Sequence, residues 1–376
     1  MTAWSIVFAI GAAQAILLAL ALWRRPVNAG SNRVLSVWIG LIGVDLAVKA
    51  LQFQGADAGL FKLYRLMQLF PFFYGSLFYV YVRTLTQGRG FERRDTVHLI
   101  PFVLAVLANL DIFVMDRAQI QALLDRLAAG ARWPRSPWLD IALFAAGVGY
   151  VAAALVHVRR YRIGLLARRS DADRMSLRWI DVMAGWQIVI WCIALTQWQL
   201  RIPGVDYPLI YGAVAAWVFA VGYLSLAQPM VVVEPLALEA AASTAGAQAA
   251  VDDARFPAVE ARLAQLMEVD RLYREPALTI GQLARRSGYP EYLVSAVINR
   301  RFEGNFWSWI NRHRIEAARA CLADPHDTRT VLDIAYDCGF TSKSTFNAAF
   351  KREVGDTPSA YRQRHAAMPS LRDADR

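Results

Sequence analysis

Long runs of apolar residues follow one another from the start of the chain to residue 228. Each run is roughly 20 residues long, which is the length that an α-helix needs to cross a hydrocarbon core of about 30 Å. The pattern therefore predicts an all-α fold that begins with a polytopic transmembrane helix bundle of about seven spans. The runs cover residues 3–23, 34–54, 65–83, 97–115, 137–158, 179–200 and 208–228.

The pattern changes after residue 228. Residues 229–254 contain an Ala-rich stretch from 238 to 250 without clear amphipathicity, and we interpret them as a juxtamembrane linker. Apolar positions then return at helical spacing: Val259, Leu263, Leu266 and Met267. This stripe is typical of the first helix of a folded domain, and the alternative is a contact within a homodimer that transmits a signal. We therefore divide the chain into residues 1–228, 229–254 and 255–376.

The C-terminal part contains one pattern twice. In each copy a threonine precedes, by three residues, a side chain that can reach back to cap a helix start: Thr279 with Gln282, and Thr330 with Asp333. A Leu/Ile-Ala pair follows, and then a glycine that can adopt the left-handed conformation and turn the chain. The glycines are Gly288 and Gly339. The repeat predicts a duplicated helix-turn-helix.

A single helix is predicted between the two copies, over Asn305–Leu322, and Pro325 ends it. Such a helix is about 25 Å long. It can therefore hold two recognition helices in successive major-groove segments about one DNA turn apart. Its apolar face consists of Phe306, Trp309, Ile310, Ala317, Cys321 and Leu322.

Residues 278–362 resemble the DNA-binding domain of the AraC/XylS family of bacterial transcription regulators. Three segments carry the resemblance: LTIGQLA, INRHRIEAARACL and IAYDCGFTSKSTFNAAFKREVGDTPSAYR. The resemblance implies double-stranded DNA as a partner. It assigns base contacts in the first recognition helix to Tyr292, Ser295, Ala296 and Asn299, and in the second to Lys343, Ser344 and Asn347.

The chain departs from the family pattern in its first recognition helix. Pro290 stands where a Ser cap is usual, Glu303 where Gly is usual, and Ala296 where a polar side chain usually contacts a base. We therefore expect fewer base contacts from the first recognition helix than from the second. The alternative for Lys343 and Asn347 is a solvated helix face.

The net charge of +10 divides between residues that flank the apolar runs and a modestly basic C-terminal part. Affinity for DNA should then depend on local clusters of cations that contact phosphates. The candidates are Arg300, Arg301, Arg312, Arg314, Lys351 and Arg352.

Composition supports a membrane location, because 56% of the residues are hydrophobic and 12 are Trp. Arginines concentrate in the connections after the first, third and fifth apolar runs, which places those connections in the cytoplasm. The N-terminus is then outside the bacterial inner membrane, and the DNA-binding domain is in the cytoplasm. The first run lacks a small-residue cleavage site and is interpreted as a retained helix. An amphipathic stretch over 119–129, with Trp133 and Trp138 nearby, is predicted at the outer surface, either to contact a signal or simply to cover the bundle.

A few polar residues lie within the apolar runs: Asp45, Lys49, Asn109 and Gln187. Asp45 and Lys49 are four residues apart and share one helix face, so they can pair. Two interpretations remain open, a pocket for a signal inside the bundle and an internal structural pair.

Enzyme chemistry is not indicated. The five His residues are scattered, no phosphate-binding loop is present, and Cys192, Cys321 and Cys338 lack metal-ligand spacing. We expect no catalytic residue, metal or cofactor, and reduced thiols at Cys321 and Cys338. The sequence favours a membrane-bound one-component transcription regulator controlled by an unidentified signal in or at the membrane. The alternative is a membrane transporter or small-molecule-processing protein with an auxiliary DNA-binding domain.

Overall fold

The computed structural model describes most of the chain. The described residues are 3–53, 58–129, 137–175, 177–200, 206–226, 231, 254–302 and 304–366. Nearly all of the predicted linker 229–254 lies outside them, as do Trp133 and Glu303. The chain divides into two compact units, Met1–Arg159 with Leu177–Pro235, and Arg160–Ser176 with Leu236–Arg376.

The regular structure of the described residues is helical, as predicted, and no β-strand occurs among them. The α-helices among the described residues of the N-terminal part are α1 Ala3–Arg24, α2 Ala29–Gln52, α3 Phe61–Met67, α4 Pro71–Gln87, α5 Ile100–Leu107, α6 Leu110–Val114, α7 Arg117–Ala128, α8 Pro137–Arg168, α9 Arg178–Leu200 and α10 Asp206–Leu226. Those described in the C-terminal part are α11 Phe256–Glu268, α12 Ile280–Ser287, α13 Glu291–Arg301, α14 Phe306–Ala323, α15 Val331–Asp337, α16 Lys343–Val354 and α17 Pro358–Ala366.

Helix α2 buries residues on several sides in the first unit. Small residues let α1 approach it closely, since a Cβ built on Gly43 would lie 3.1 Å from the Cβ of Ala15. On another side, the ring of Trp38 lies 4.7 Å from that of Trp217 on α10, centroid to centroid. Close packing of small residues and interlocking of large rings thus join α1, α2 and α10.

Five helices among the described residues are long and apolar enough to cross a membrane. They are Ala3–Arg24, Ala29–Gln52, Trp138–Arg168, Arg178–Gln197 and Pro208–Ser225. Apolar side chains are exposed along these helices, as expected for surfaces that face lipid. They include Leu17, Leu20, Val148, Val156, Val182 and Val189.

The two remaining apolar runs do not form single long helices. Run 65–83 is divided between α3 and α4, because Pro71 starts a new helix. Run 97–115 is divided among a 3₁₀ helix, α5 and α6, with Pro101 near the start of α5 and Asn109 between α5 and α6. The total of seven spans therefore remains a prediction. The amphipathic stretch near 119–129 forms α7, which buries Ile120 and Leu123.

Helix α14 completes two hydrophobic cores in the second unit. Phe306, Trp309 and Ile310 pack with α11, α12 and α13. Ile315, Ala318 and Leu322 pack with α15, α16 and Tyr361 of α17. The stripe of α11 lies in the first of these cores, which agrees with its interpretation as the first helix of the domain.

The predicted helix caps are confirmed. Thr279 Oγ1 accepts a hydrogen bond from the Gln282 amide at 3.2 Å, and Thr330 Oγ1 accepts one from the Asp333 amide at 3.1 Å. Gly288 has φ 79° and Gly339 has φ 88°, both in the left-handed region. Local sequence thus determines the start and the turn of each helix-turn-helix.

Substitution of the two glycines should have unequal effects. A Cβ on Gly339 would lie 2.6 Å from the Tyr273 carbonyl oxygen, whereas a Cβ on Gly288 would meet nothing within 4 Å. We expect Gly288→Ala to cost roughly 1–2 kcal/mol for its left-handed backbone, and Gly339→Ala about 3 kcal/mol because a backbone clash is added. Hydrogen exchange of amides in α12 and α15 measures both losses. Equal losses would contradict the clash.

Candidate DNA interface

The first recognition helix, α13, has a buried face and an outer face. Leu293, Val294, Val297 and Ile298 are buried against the first core. Of the predicted base-contacting residues, Tyr292 and Asn299 are exposed, and Ser295 and Ala296 are half-buried. The Tyr292 hydroxyl accepts a hydrogen bond from Arg255 at 3.2 Å. Pro290 occupies the N-cap position without a side-chain hydrogen bond, so this helix starts without a polar cap.

The second recognition helix, α16, starts with a stronger cap. Ser342 Oγ accepts a hydrogen bond from the Thr345 amide at 3.2 Å. The side chains that pack inward are Thr345, Phe346, Ala349 and Phe350. Lys343 and Ser344 are exposed and Asn347 is half-exposed, so all three lie outside the packed face of α16. This outer face can approach a DNA groove without loss of core contacts.

Five of the six candidate phosphate contacts are at the surface: Arg300, Arg301, Arg312, Lys351 and Arg352. Three of these cations already contact other side chains of the domain. The Arg300 guanidinium lies 5.7 Å from the centre of the Phe256 ring, and that of Arg352 lies 4.4 Å from the Trp307 ring. Arg301 Nε is 4.0 Å from Glu260 Oε2. These cations are accessible, and the surface ion pair of Arg301 contributes little stability.

Arg314 is placed differently from the sequence expectation. It is 1% exposed, and its Nε donates to the Tyr273 carbonyl oxygen at 2.8 Å. Its Nη2 donates to the Glu275 carbonyl oxygen at 2.9 Å and to Ser170 Oγ at 3.1 Å. Burial lowers the pKa of Arg314 to about 10, and Asp171 opposes that shift, so the side chain stays charged at neutral pH. Arg314 is therefore an internal anchor in this structure, because its side chain is buried and its donors bond to the Tyr273 and Glu275 carbonyls.

Sequence patterns did not indicate that Ser170 contacts Arg314. Ser170 lies in the basic connection after α8, where the arginines gave an orientation signal and nothing more. Its burial depends on tertiary packing, so no local pattern could have identified it. Cys338, by contrast, is buried in the second core, and burial raises the pKa of its thiol to about 11.

Among the polar residues of the first unit, Asp45 and Lys49 attract each other, and each has a further contact. Asp45 Oδ2 accepts a hydrogen bond from Tyr74 at 2.7 Å, while Lys49 Nζ lies 5.0 Å from the Tyr211 ring and 3.4 Å from Gln52 Oε1. Asn109 accepts a hydrogen bond from Arg65 Nε at 3.0 Å. Gln187 is buried, and its Oε1 has no hydrogen-bond partner among the described residues.

Two of these partners were absent from the sequence prediction. Arg65 is a charged residue at the edge of an apolar run, which is a signal that a search for intramembrane charges could have used. Tyr74 gives no such signal, because an aromatic residue in an apolar run is ordinary.

The C-terminal unit matches known proteins. The family described as "Helix-turn-helix domain" matches residues 283–364. Regulatory protein SoxS of Salmonella typhimurium is 32% identical over 87 residues, which cover 23% of this chain and 79% of that protein. SoxS of Escherichia coli is 31% identical with the same coverage. The melibiose operon regulatory protein of Escherichia coli is 32% identical over 89 residues, which cover 24% of this chain and 29% of that protein. No solved structure matches the chain.

The burial of Arg314 predicts a sharp contrast with its neighbour Arg312, which is exposed. Arg314→Ala should lower the free energy of unfolding by about 3 kcal/mol, because the buried Tyr273 carbonyl and the partly buried Glu275 carbonyl lose their donor. Arg312→Ala should change it by less than about 0.5 kcal/mol. Pulse proteolysis of the full-length protein in increasing urea measures both values. Similar values for the two variants would refute the assignment of Arg314 as an internal anchor.

Proposed function

Because this chain belongs to the AraC family of transcription regulators through its C-terminal helix-turn-helix domain, we propose that it is a membrane-bound regulator whose sequence-specific DNA binding responds to a signal in or at the membrane. The family membership makes the chain a DNA-binding transcription regulator. Membrane anchoring, signal sensing and the assignment of individual contact residues are the proposed parts.

One observation supports the DNA-binding residues most directly. The two recognition helices, α13 and α16, pack on opposite halves of one rigid helix, α14, and each keeps a polar face outside its core. We assign base contacts to Tyr292, Ser295, Ala296, Asn299, Lys343, Ser344 and Asn347. Phosphate contacts are assigned to Arg300, Arg301, Arg312, Lys351 and Arg352, and Arg314 is excluded because it is buried.

The proposed membrane location is supported by the five long apolar helices and by their exposed apolar side chains. The arginine distribution favours an outside N-terminus and seven crossings, with the broken helices of runs 65–83 and 97–115 completing the bundle. This topology puts the DNA-binding domain in the cytoplasm, where the chromosome is. The proposed partners are the lipid bilayer, double-stranded DNA and an unidentified signal.

The buried polar groups of the bundle are the proposed site of signal sensing. Asp45 and Lys49 lie with Tyr74 and Tyr211, and Asn109 lies with Arg65. Gln187, on α9, adds a buried carbonyl oxygen that lacks a hydrogen-bond partner among the described residues. Polar groups inside an apolar bundle are costly, so a ligand that bonds to them can favour one packing of the helices over another.

The role of individual DNA contacts can be tested on α16. Duplexes are first selected from a randomised library with the full-length protein. Asn347→Ala should weaken binding to the selected site by about 1–3 kcal/mol and relax the preference at one or two base pairs, because a base-edge hydrogen bond is lost. Lys351→Ala should weaken binding to all sequences alike and reduce the salt slope by about one, because a phosphate contact is lost.

The two variants control for each other, since the residues lie one helical turn apart. Both must retain the helical circular-dichroism spectrum of the wild type. If both lose affinity uniformly across the library and to the same extent, the division into base contacts and phosphate contacts is wrong.

The membrane topology predicts the activity of fused reporters. A cytoplasm-active reporter fused after Pro229 should be active, and the same reporter inserted near Arg126 should be inactive, because an odd number of crossings separates the two positions. An immunoblot for full-length fusions gives the expression control. The reverse pattern would eliminate the proposed orientation.

A further inference from the structure

A short piece of the chain outside the helix-turn-helix repeats belongs to the same compact unit as those repeats. It comprises residues 160–175, here called the docking segment, and contains the end of α8 and the start of the connection to α9. Four of its side chains are buried: Leu165, Ser170, Asp171 and Ala172. The basic connection predicted to lie in the cytoplasm is therefore packed against the DNA-binding domain.

The docking segment pairs with the chain just before the first helix-turn-helix. The Ser170 amide donates to the Leu278 carbonyl oxygen at 3.0 Å, and Arg169 lies opposite Thr279 in an antiparallel bridge. Thr279 is the N-cap of α12. The first helix of a helix-turn-helix crosses the DNA backbone, and helix N-termini contact phosphates. The docking segment thus lies beside a part of the domain that faces the DNA backbone in such complexes.

The docking segment also packs on α14. Trp307 and Arg314 are seven residues apart and share one face of α14. Trp307 packs with Leu165 and Ala172, and Ser170 Oγ accepts a hydrogen bond from Arg314. The helix that spaces the two recognition helices is therefore in direct contact with the docking segment.

Trp307 extends this contact to the second recognition helix. The Arg352 guanidinium, near the end of α16, lies 4.4 Å from the centre of the Trp307 ring. A stacked cation gains about 0.5–2 kcal/mol from such a ring. The docking segment therefore contacts the side chain on which Arg352, a cation proposed to contact phosphate, is stacked.

We infer that the docking segment is an autoinhibitory element, which keeps the domain in a form of lower DNA affinity while it is bound and raises the affinity when it is released. This inference rests on the proposed function, since the helices on either side of the docking segment belong to the proposed membrane bundle. A change in the packing of α8 and α9 would act on DNA binding through it.

The contact between the docking segment and α14 is weak enough to be reversible. Asn311 lies between Trp307 and Arg314 on the same face of α14, fully buried, and neither polar atom of its amide has a partner among the described residues. A buried amide without partners costs about 1–3 kcal/mol. Arg314 keeps its bonds to two backbone carbonyls when Ser170 leaves, so the domain retains its anchor.

Two substitutions in one turn of α8 test the inference. Leu165 is 8% exposed in the contact with Trp307, whereas Ile163 is 58% exposed. Leu165→Asp should release the docking segment, and Ile163→Asp is the matched control with the same added charge. In full-length protein reconstituted in nanodiscs, Leu165→Asp should bind the library-selected duplex at least about fivefold more tightly than the control.

The outcomes separate the inference from the proposed function. If the wild type and the control bind no duplex from the library, the proposed function fails. If both bind, and Leu165→Asp binds with equal or lower affinity, the autoinhibitory role is refuted and the DNA-binding assignment stands.

A measurement on the unmodified protein covers the case in which Leu165→Asp fails to fold. The Ser170 amide is hydrogen-bonded only while the docking segment is bound, so its exchange with deuterium reports docking. Because coupling is reciprocal, the selected duplex should lower the protection of Ser170 by at least about fivefold. Unchanged or increased protection on addition of DNA would overturn the inference.

Discussion

One helix, α14, has to bury side chains against several partners at once, and the arrangement of the C-terminal unit depends on it. Its first turns complete the core of one helix-turn-helix and its last turns complete the core of the other. Arg314 lies between these groups and bonds to the backbone of residues 273 and 275, which precede α12. A buried charge is tolerated only where its donors are satisfied, so these bonds restrict how α14 can rotate. The separation of the recognition helices follows from that restriction.

Much of this unit could be predicted from local sequence, because its starts and turns depend on residues three or four positions apart. Thr279 with Gln282 and Thr330 with Asp333 cap their helices as the spacing indicated. Arg314 could not be placed in this way. Arg312 and Arg314 form one basic cluster in the sequence, yet one is exposed and the other buried. The difference arises from carbonyl groups that are about 40 residues distant along the chain.

The N-terminal unit shows a different limit of sequence interpretation. Apolar runs identify where helices occur, because each apolar residue contributes to burial or lipid exposure wherever it stands. They do not identify where a helix is interrupted, and Pro71 and Asn109 divide two runs that looked continuous in hydropathy. The hydrogen-bond donor of Asp45 was missed for a related reason. Spacing indicated Lys49 on the same helix, and the two side chains do attract each other, but the hydrogen bond comes from Tyr74 on α4.

The docking segment is subject both to a charge pattern visible in the sequence and to tertiary packing. Its arginines fit the charge bias of the proposed cytoplasmic connection, while Leu165, Ser170 and Ala172 supply a small packed surface for α14. A signal can shift an equilibrium only by the difference in its affinity for the two states. A contact made of one short apolar cluster and few hydrogen bonds is small enough for such a difference in affinity to open it. A larger interface would hold the domain more firmly, but no modest change in helix packing could then release it.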